Sequence, residues 1–67
     1  MSRIVEAGDL SARHLGHAIA VAGVSGRLAQ MGAILVGADR QITIALELDG
    51  RVRTLTVPTT AEVEVQS

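Results

Sequence analysis

The chain has 67 residues and no cysteine, so it allows one small domain over residues 1–67 and excludes disulfides and thiolate-bound zinc. It is 48% hydrophobic yet contains no Phe, Tyr or Trp, so its core must be aliphatic, and a domain of this size is marginal without barrel closure or association. The formal net charge of −1 provides no basic field that would attract nucleic acid or anionic lipid.

The first part of the chain predicts a strand, a helical turn and a second strand. Residues 3–7 form a short apolar segment that is typical of an opening strand. Polar residues that can cap a helix come next, and Gly16 can end it in the left-handed conformation. We therefore expect one short helical turn near residues 10–15. Residues 17–22 then alternate Ile and Val with Ala, which predicts a strand, and the glycines of residues 23–26 predict a turn.

The next segment, residues 26–37, is apolar without a clean period of two. Gly32 in its middle predicts a bulge or a sharp bend, as a strand needs when it serves both halves of a small barrel. A helix stays open as the alternative. The three glycines of the segment favour the bent strand, because each would cost about 1 kcal/mol inside a helix. Residues 38–40 predict a polar turn.

Residues 42–57 predict a β-hairpin. Alternate residues of its first half are large and apolar, which is the period of a strand with one buried face. The dipeptide Asp49-Gly50 accepts positive φ at both positions and predicts a two-residue type I′ turn. Such a turn sets four pairs on the apolar face: Leu48 with Arg51, Leu46 with Arg53, Ile44 with Leu55, and Ile42 with Val57.

The chain ends with a turn and a last strand. Pro58 stops the hairpin, and the threonines after it suit a tight turn, often a single 3₁₀ turn. The Glu-Val-Glu-Val pattern of residues 62–65 predicts a short strand with Val63 and Val65 inward. We expect its outward glutamates to discourage pairing at a sheet edge.

Together these elements predict a mainly all-β fold with five to six short strands and tight turns. Such a pattern is typical of a small, strongly bent barrel of the SH3-like or Sm-like kind, in which the final strand pairs with the first. A small open sandwich is the alternative.

Several short motifs carry a resemblance to a group of known proteins. They are Val-x-Ala-Gly-Asp-Leu at residues 5–10, His-Leu-Gly-His at residues 14–17, the Gly-Val-Ser-Gly turn and the terminal Glu-Val-Glu-Val. In these motifs the chain resembles small SH3-like barrel proteins of unknown function encoded by actinobacterial phages and prophages. The resemblance implies a fold and an origin, and it assigns no functional residue.

The best candidates for a contact surface are arginines near the hairpin tip. Arg51 and Arg53 fall at the tip, and we expect Arg27 or Arg40 nearby. Arginine is favoured where carboxylates or phosphates are recognised in a fixed geometry. The alternative is a solvated tip that keeps the protein in solution.

The candidates for chemistry are weaker. His14 and His17 would share a face of a helical turn and could bind a metal with Asp9, but zinc normally takes at least three protein ligands. We also expect Gly16 to end the turn, so that the two rings diverge. We expect no catalytic residue, no metal, no cofactor and no small-molecule substrate, because the serines lack a histidine partner and the domain has little room for a pocket.

These observations predict a non-enzymatic protein-interaction or assembly module that acts through self-association or through a host or virion partner. A homo-oligomer is expected, because mini-domains are usually stabilised in this way. The alternative is an Sm-like or OB-like nucleic-acid-binding barrel, although such folds normally offer aromatic stacking platforms. The opening residues lack the apolar core of a signal peptide, and no apolar run approaches the ~20 residues of a spanning helix. We therefore expect a soluble protein of the bacterial host cytoplasm or of a virion.

Overall fold

The computed structural model of the protein describes residues 2–66, which form six strands and two 3₁₀ turns. The strands are β1 (Ser2–Glu6), β2 (Ala18–Val21), β3 (Val24–Val36), β4 (Asp39–Leu48), β5 (Arg51–Pro58) and β6 (Glu62–Gln66). The 3₁₀ turns, Ala7–Asp9 and Ala12–His14, lie between β1 and β2. The predictions of an all-β fold and of a short helical turn near residues 10–15 are confirmed.

The strands form one antiparallel sheet in the order β1-β6-β2-β3-β4-β5. The predicted pairing of the last strand with the first is confirmed, since β6 pairs with β1 along all five residues of β1. The prediction of a closed SH3-like or Sm-like barrel is wrong, because β1 and β5 lie at opposite ends of the sheet and do not pair within residues 2–66.

The chain leaves the sheet directly after β1. Its 3₁₀ turn Ala7–Asp9 then lies against the loop between β5 and β6. Two backbone hydrogen bonds join them: the Ala7 N–H donates to the Ala61 carbonyl and the Gly8 N–H to the Thr59 carbonyl, both at 2.8 Å. These bonds cover one end of the core without making a sixth pair of strands.

The sheet is strongly bent. This follows from its core, because a single cluster of buried residues includes side chains from strands that are not neighbours in the sheet. Val63 on β6 and Ile44 on β4 are both fully buried at 0% exposure, although two other strands separate β6 from β4. The inner face of the sheet is the one that carries this core. Its buried members are Ala7, Ile19, Val21, Leu28, Ile42, Ile44, Leu46, Val57, Val63 and Val65.

The β4–β5 hairpin has the predicted register. The four predicted pairs are all present, and both turn residues have positive φ, 56° at Asp49 and 77° at Gly50. The alternating apolar pattern therefore specifies this part of the fold fully.

The β2–β3 connection differs from the prediction of a turn at residues 23–26. The turn residues are Ala22 and Gly23, with φ of 52° and 77°, and Val21 pairs with Val24 directly beyond them. Gly26 lies inside β3, where it is buried. An alanine in the left-handed region is uncommon, so Ala22 does not identify itself as the first residue of a turn.

Strand β3 resolves the choice between a bent strand and a helix in favour of the strand. Its register shifts at Ala29, between Leu28 and Gln30, and not at Gly32, where the bulge was predicted. Because the bulge inserts one residue, the inner face changes from even positions before Ala29 to odd positions after it. The turn that follows is Gly37-Ala38 rather than residues 38–40, and Asp39 begins β4.

The last elements follow the prediction in part. The Ala61 N–H donates to the Pro58 carbonyl at 3.0 Å, which closes the predicted tight turn. Val63 and Val65 are buried, as expected. The proposed role of the glutamates at a sheet edge is wrong, since β6 lies between β1 and β2. Within residues 2–66, no helix has the length and apolar character needed to cross a membrane.

Candidate interaction surfaces

Strand β3 is paired on both sides along its first part and on one side along the rest. It pairs with β4 over nearly its whole length, but with β2 over residues 24–27 alone. Two further bonds extend that side by one residue: the Gly16 N–H donates to the Leu28 carbonyl at 2.8 Å, and the Leu28 N–H donates to the His17 carbonyl at 2.9 Å. Residues 30–36, called here the free β3 edge, therefore have a strand neighbour among residues 2–66 on the β4 side alone.

The free β3 edge carries a concentration of exposed apolar side chains. Leu35 is 73% exposed, Val36 50% and Ile34 41%. No charged residue occurs from residue 28 to residue 38. An uncharged strand edge with exposed aliphatic residues is the type of edge that pairs with another chain unless it is protected.

The hairpin geometry fixes which backbone groups this edge presents. Val36 and Asp39 flank the two-residue turn and pair with each other, and the residues next to such a turn exchange both backbone bonds. Alternate residues of β3 therefore bond to β4. Met31, Ala33 and Leu35 lie between them and direct their N–H and C=O groups away from β4, along the free edge.

A groove of about 520 Å³ runs beside this edge on the inner face of the sheet. Met31 and Ala33 form one wall and the 3₁₀ turn Ala7–Asp9 forms the other, with Leu10 and Ile42 between them.

The four predicted arginines do not form one surface. Arg51 and Arg53 are exposed on the same side of β5 and line a shallow depression of about 840 Å³ at the hairpin tip. Arg27 is paired with Glu47 on the outer face of the sheet. Arg40 is paired with Leu35 near the opposite end of β4 and lines the groove beside the free β3 edge. The structure thus brings together two of the four residues.

A second group of basic residues, which no sequence pattern brings together, surrounds a hollow of about 250 Å³. It consists of Arg3, Arg13, His14 and His17, over Val5 and Val65. The pairing of Arg3 with Val65 on the inner side of β1 brings the first of these residues to the hollow. The other three come from the chain around the second 3₁₀ turn, and no pattern in the sequence relates that turn to β1.

The two histidines line this same hollow, and their rings have different hydrogen-bond partners. His14 accepts a hydrogen bond at Nδ1 from the Ser11 N–H at 3.0 Å, which closes a capping box. His17 Nδ1 lies 3.2 Å from the Gln66 carbonyl oxygen, and this nitrogen must donate because a carbonyl only accepts. Within residues 2–66, no three His, Cys, Asp or Glu side chains are grouped to hold a metal ion.

The fold and these surfaces define a small all-β protein built on an open six-stranded antiparallel sheet, with an exposed apolar strand edge. No protein-family model matches the chain, and no curated protein matches it either.

Proposed function

We propose that the protein is a non-enzymatic assembly module that acts by self-association. The observation that carries this proposal is the exposure of Ile34, Leu35 and Val36, three successive aliphatic residues at one unprotected strand edge. Isolated apolar residues are normal on a protein surface, whereas aliphatic side chains exposed on both faces of one unpaired strand edge would be covered together if that edge paired with another chain. The origin of the protein in an actinobacterial phage or prophage stays a prediction from the sequence. A virion or host partner, in addition to other copies of the chain, also stays a prediction.

The composition of the core supports the same proposal. The protein has 67 residues and no aromatic side chain, and its buried core consists of alanine, valine, leucine and isoleucine. Each of these residues buries less apolar area than an aromatic ring does. Association would remove further apolar surface from water and would stabilise the folded chain by mass action.

The experiment that tests the proposal is the solution mass of the purified protein, by light scattering after size exclusion over a wide range of concentration. We expect a mass above that of the 6.9 kDa chain, with dissociation on dilution. A mass of one chain at every concentration would contradict the proposal.

A second candidate function is the binding of a nucleic-acid backbone at the basic hollow. Two arginines and two histidines around one hollow offer donors to phosphate oxygens. The proposal predicts that single-stranded DNA or RNA binds at low salt and that the double variant Arg3→Ala, Arg13→Ala weakens this binding. Arg27→Ala is the matched control, since Arg27 lies outside the hollow. Equal binding by both variants, or no binding by the natural chain, would overturn it.

A further inference from the structure

We propose that two copies of the chain pair through their free β3 edges, antiparallel, about a two-fold axis at Ala33. The pairing would join two six-stranded sheets into one continuous sheet across the dimer. This inference rests on the proposed self-association and names the surface and the register that produce it.

The limits of the free β3 edge set this register. At one end, the bonds of Leu28 to Gly16 and His17 occupy the same side of the strand. At the other end, the strand stops at the turn Gly37-Ala38. The stretch between them is residues 30–36, and its central residue is Ala33. Full overlap of two such stretches in antiparallel orientation therefore places the axis at Ala33.

The backbone groups fit this register. Residues that share a bonded pair must both direct their N–H and C=O groups toward the partner strand, and Met31, Ala33 and Leu35 do so along the free edge. With the axis at Ala33, Met31 of each copy pairs with Leu35 of the other, and Ala33 pairs with its own counterpart. If one strand were shifted by one residue against the other, the N–H and C=O groups along the free edge would lie opposite residues whose own N–H and C=O groups already bond to β4.

The inner-face side chains also complement each other. Leu35 is the most exposed of the large hydrophobic residues among residues 2–66, and in the dimer it lies opposite the half-buried Met31 of the second copy. The small Ala33 lies at the axis, where two identical side chains meet most closely. Because Met31 is paired with Ile44, and Ile44 with Leu55, Leu35 would extend an existing apolar row.

The outer face repeats this fit. Ile34 of one copy would lie opposite Gly32 of the other, where a side chain built on the glycine meets no atom within 4 Å. Val36 would lie opposite Gln30. Each exposed aliphatic residue of the edge thus faces either a small residue or the stem of a longer one.

Charge favours a second copy of this edge over the other strand edges. Residues 28–38 are uncharged, so antiparallel pairing places no like charges opposite each other. The outer edge of β5 carries Arg51, Arg53 and Pro58, and β1 carries Arg3 and Glu6. Charged residues and proline are the features that protect an edge strand from pairing.

The first test is Ala33→Pro. Proline at this position removes an N–H that points along the free edge and leaves the bonds to β4 in place, which an edge strand tolerates. Thr54→Pro is the matched control, because Thr54 has the same outward orientation on the edge of β5. We expect the natural chain and Thr54→Pro to be dimers and Ala33→Pro to be a monomer, by sedimentation equilibrium, with the strand signal retained in circular dichroism.

A second test does not depend on the folding of the proline variant. Two lysines at position 33 would repel each other across the axis, and so would two glutamates, but a mixture would pair. We expect Ala33→Lys and Ala33→Glu to be monomeric alone and dimeric when mixed. A dimer of either variant alone would overturn the register.

A third test reads the axis directly. The chain has no cysteine, so Ala33→Cys would carry a single thiol. Residues of a bonded pair have Cα atoms about 5.5 Å apart, within the range of a disulfide. We expect oxidation to link Ala33→Cys into a covalent dimer far faster than Thr54→Cys.

The outcomes separate the two proposals. A natural chain that stays monomeric at every concentration overturns both the edge pairing and the proposed self-association. A natural chain that associates, together with an Ala33→Pro variant that associates equally well, overturns the pairing alone and leaves self-association through another surface.

Discussion

Gly26 lies against the backbone of Glu47, so closely that a Cβ placed on the glycine would lie 3.0 Å from the Glu47 carbonyl oxygen and 3.2 Å from the Cβ of Leu46. Gly26 has ordinary extended geometry, since its φ is not among the positive values of the chain. The requirement for glycine at this position is therefore one of space. This close contact lies three residues before the bulge at Ala29.

Gly26→Ala should therefore destabilise the fold. The added methyl group has to displace backbone rather than a mobile side chain, and overpacking of this kind costs about 1–3 kcal/mol of the free energy of unfolding. Chemical denaturation measures this loss. Gly32→Ala is the control within one chain, because its methyl group meets open space there. Since Gly32 faces Ile34 of the second copy in the proposed dimer, both variants are compared at a concentration low enough for the natural chain to be monomeric. An equal effect of the two variants would contradict the steric explanation.

Ala22→Asn should stabilise the protein. Ala22 occupies the left-handed region with φ of 52° before Gly23, and Asn-Gly is a favoured pair for a type I′ turn. We expect a gain of roughly 0.5–1 kcal/mol in the free energy of unfolding, because asparagine tolerates this conformation better than alanine.

Ala38→Asn serves as its matched control. Ala38 also lies in a two-residue hairpin turn, after Gly37, but its φ is not positive. The thermal midpoint should rise for the substitution at position 22 and stay unchanged for the one at position 38. A rise in both would show that the effect does not come from the left-handed residue.

Ile44→Ala should unfold a large fraction of the protein. Ile44 is 0% exposed and lies between Met31 and Leu55 in the sheet. Removing its side chain should cost about 2–5 kcal/mol, whereas a chain of 67 residues has a total stability of roughly 3–10 kcal/mol. Ile44→Val should cost about 0.5–1.5 kcal/mol. Val52→Ala on the exposed side of β5 is the control, and a similar loss there would contradict the position of the core.

The parts of the fold that the sequence predicted are those with a local signal. The alternation of residues 42–48 and the Asp49-Gly50 dipeptide determine a complete hairpin without reference to the rest of the chain. The buried Val63 and Val65 were found from the same period of two. The predictions succeeded where side-chain period and turn chemistry agree.

The parts that were missed depend on close approach or on chain connectivity. Nothing local in the sequence distinguishes Gly26, which allows two backbones to meet, from Gly32, which faces open space. Barrel closure depends on whether β1 and β5 pair, and the two strands are far apart in the chain and lie at opposite ends of the sheet. The alternation of apolar and polar residues along a strand contains no information on how closely two backbones approach or on whether a barrel closes.

The candidate surface was missed for a related reason. The apolar run from Ala33 to Val36 is visible in the sequence, but it reads equally well as a core strand. Its exposure follows from the short length of β2, which ends the pairing on that side of β3 at residue 27. The arginines of the hairpin tip were predicted as a contact surface because of their charge. The free β3 edge has no charged residue.

The response of self-association to salt should distinguish these two surfaces. Exposed charges are screened within ~10 Å at 0.1 M salt, so association through Arg51 and Arg53 would weaken as salt is added. Pairing of the uncharged free β3 edge depends on backbone bonds and apolar burial, and sulfate strengthens apolar burial. We expect the dissociation constant to change less than about twofold between ~0.05 M and ~0.5 M NaCl and to fall in ammonium sulfate. The double variant Arg51→Ala, Arg53→Ala should associate like the natural chain, and a marked loss of association in that variant would assign the contact to the hairpin tip instead.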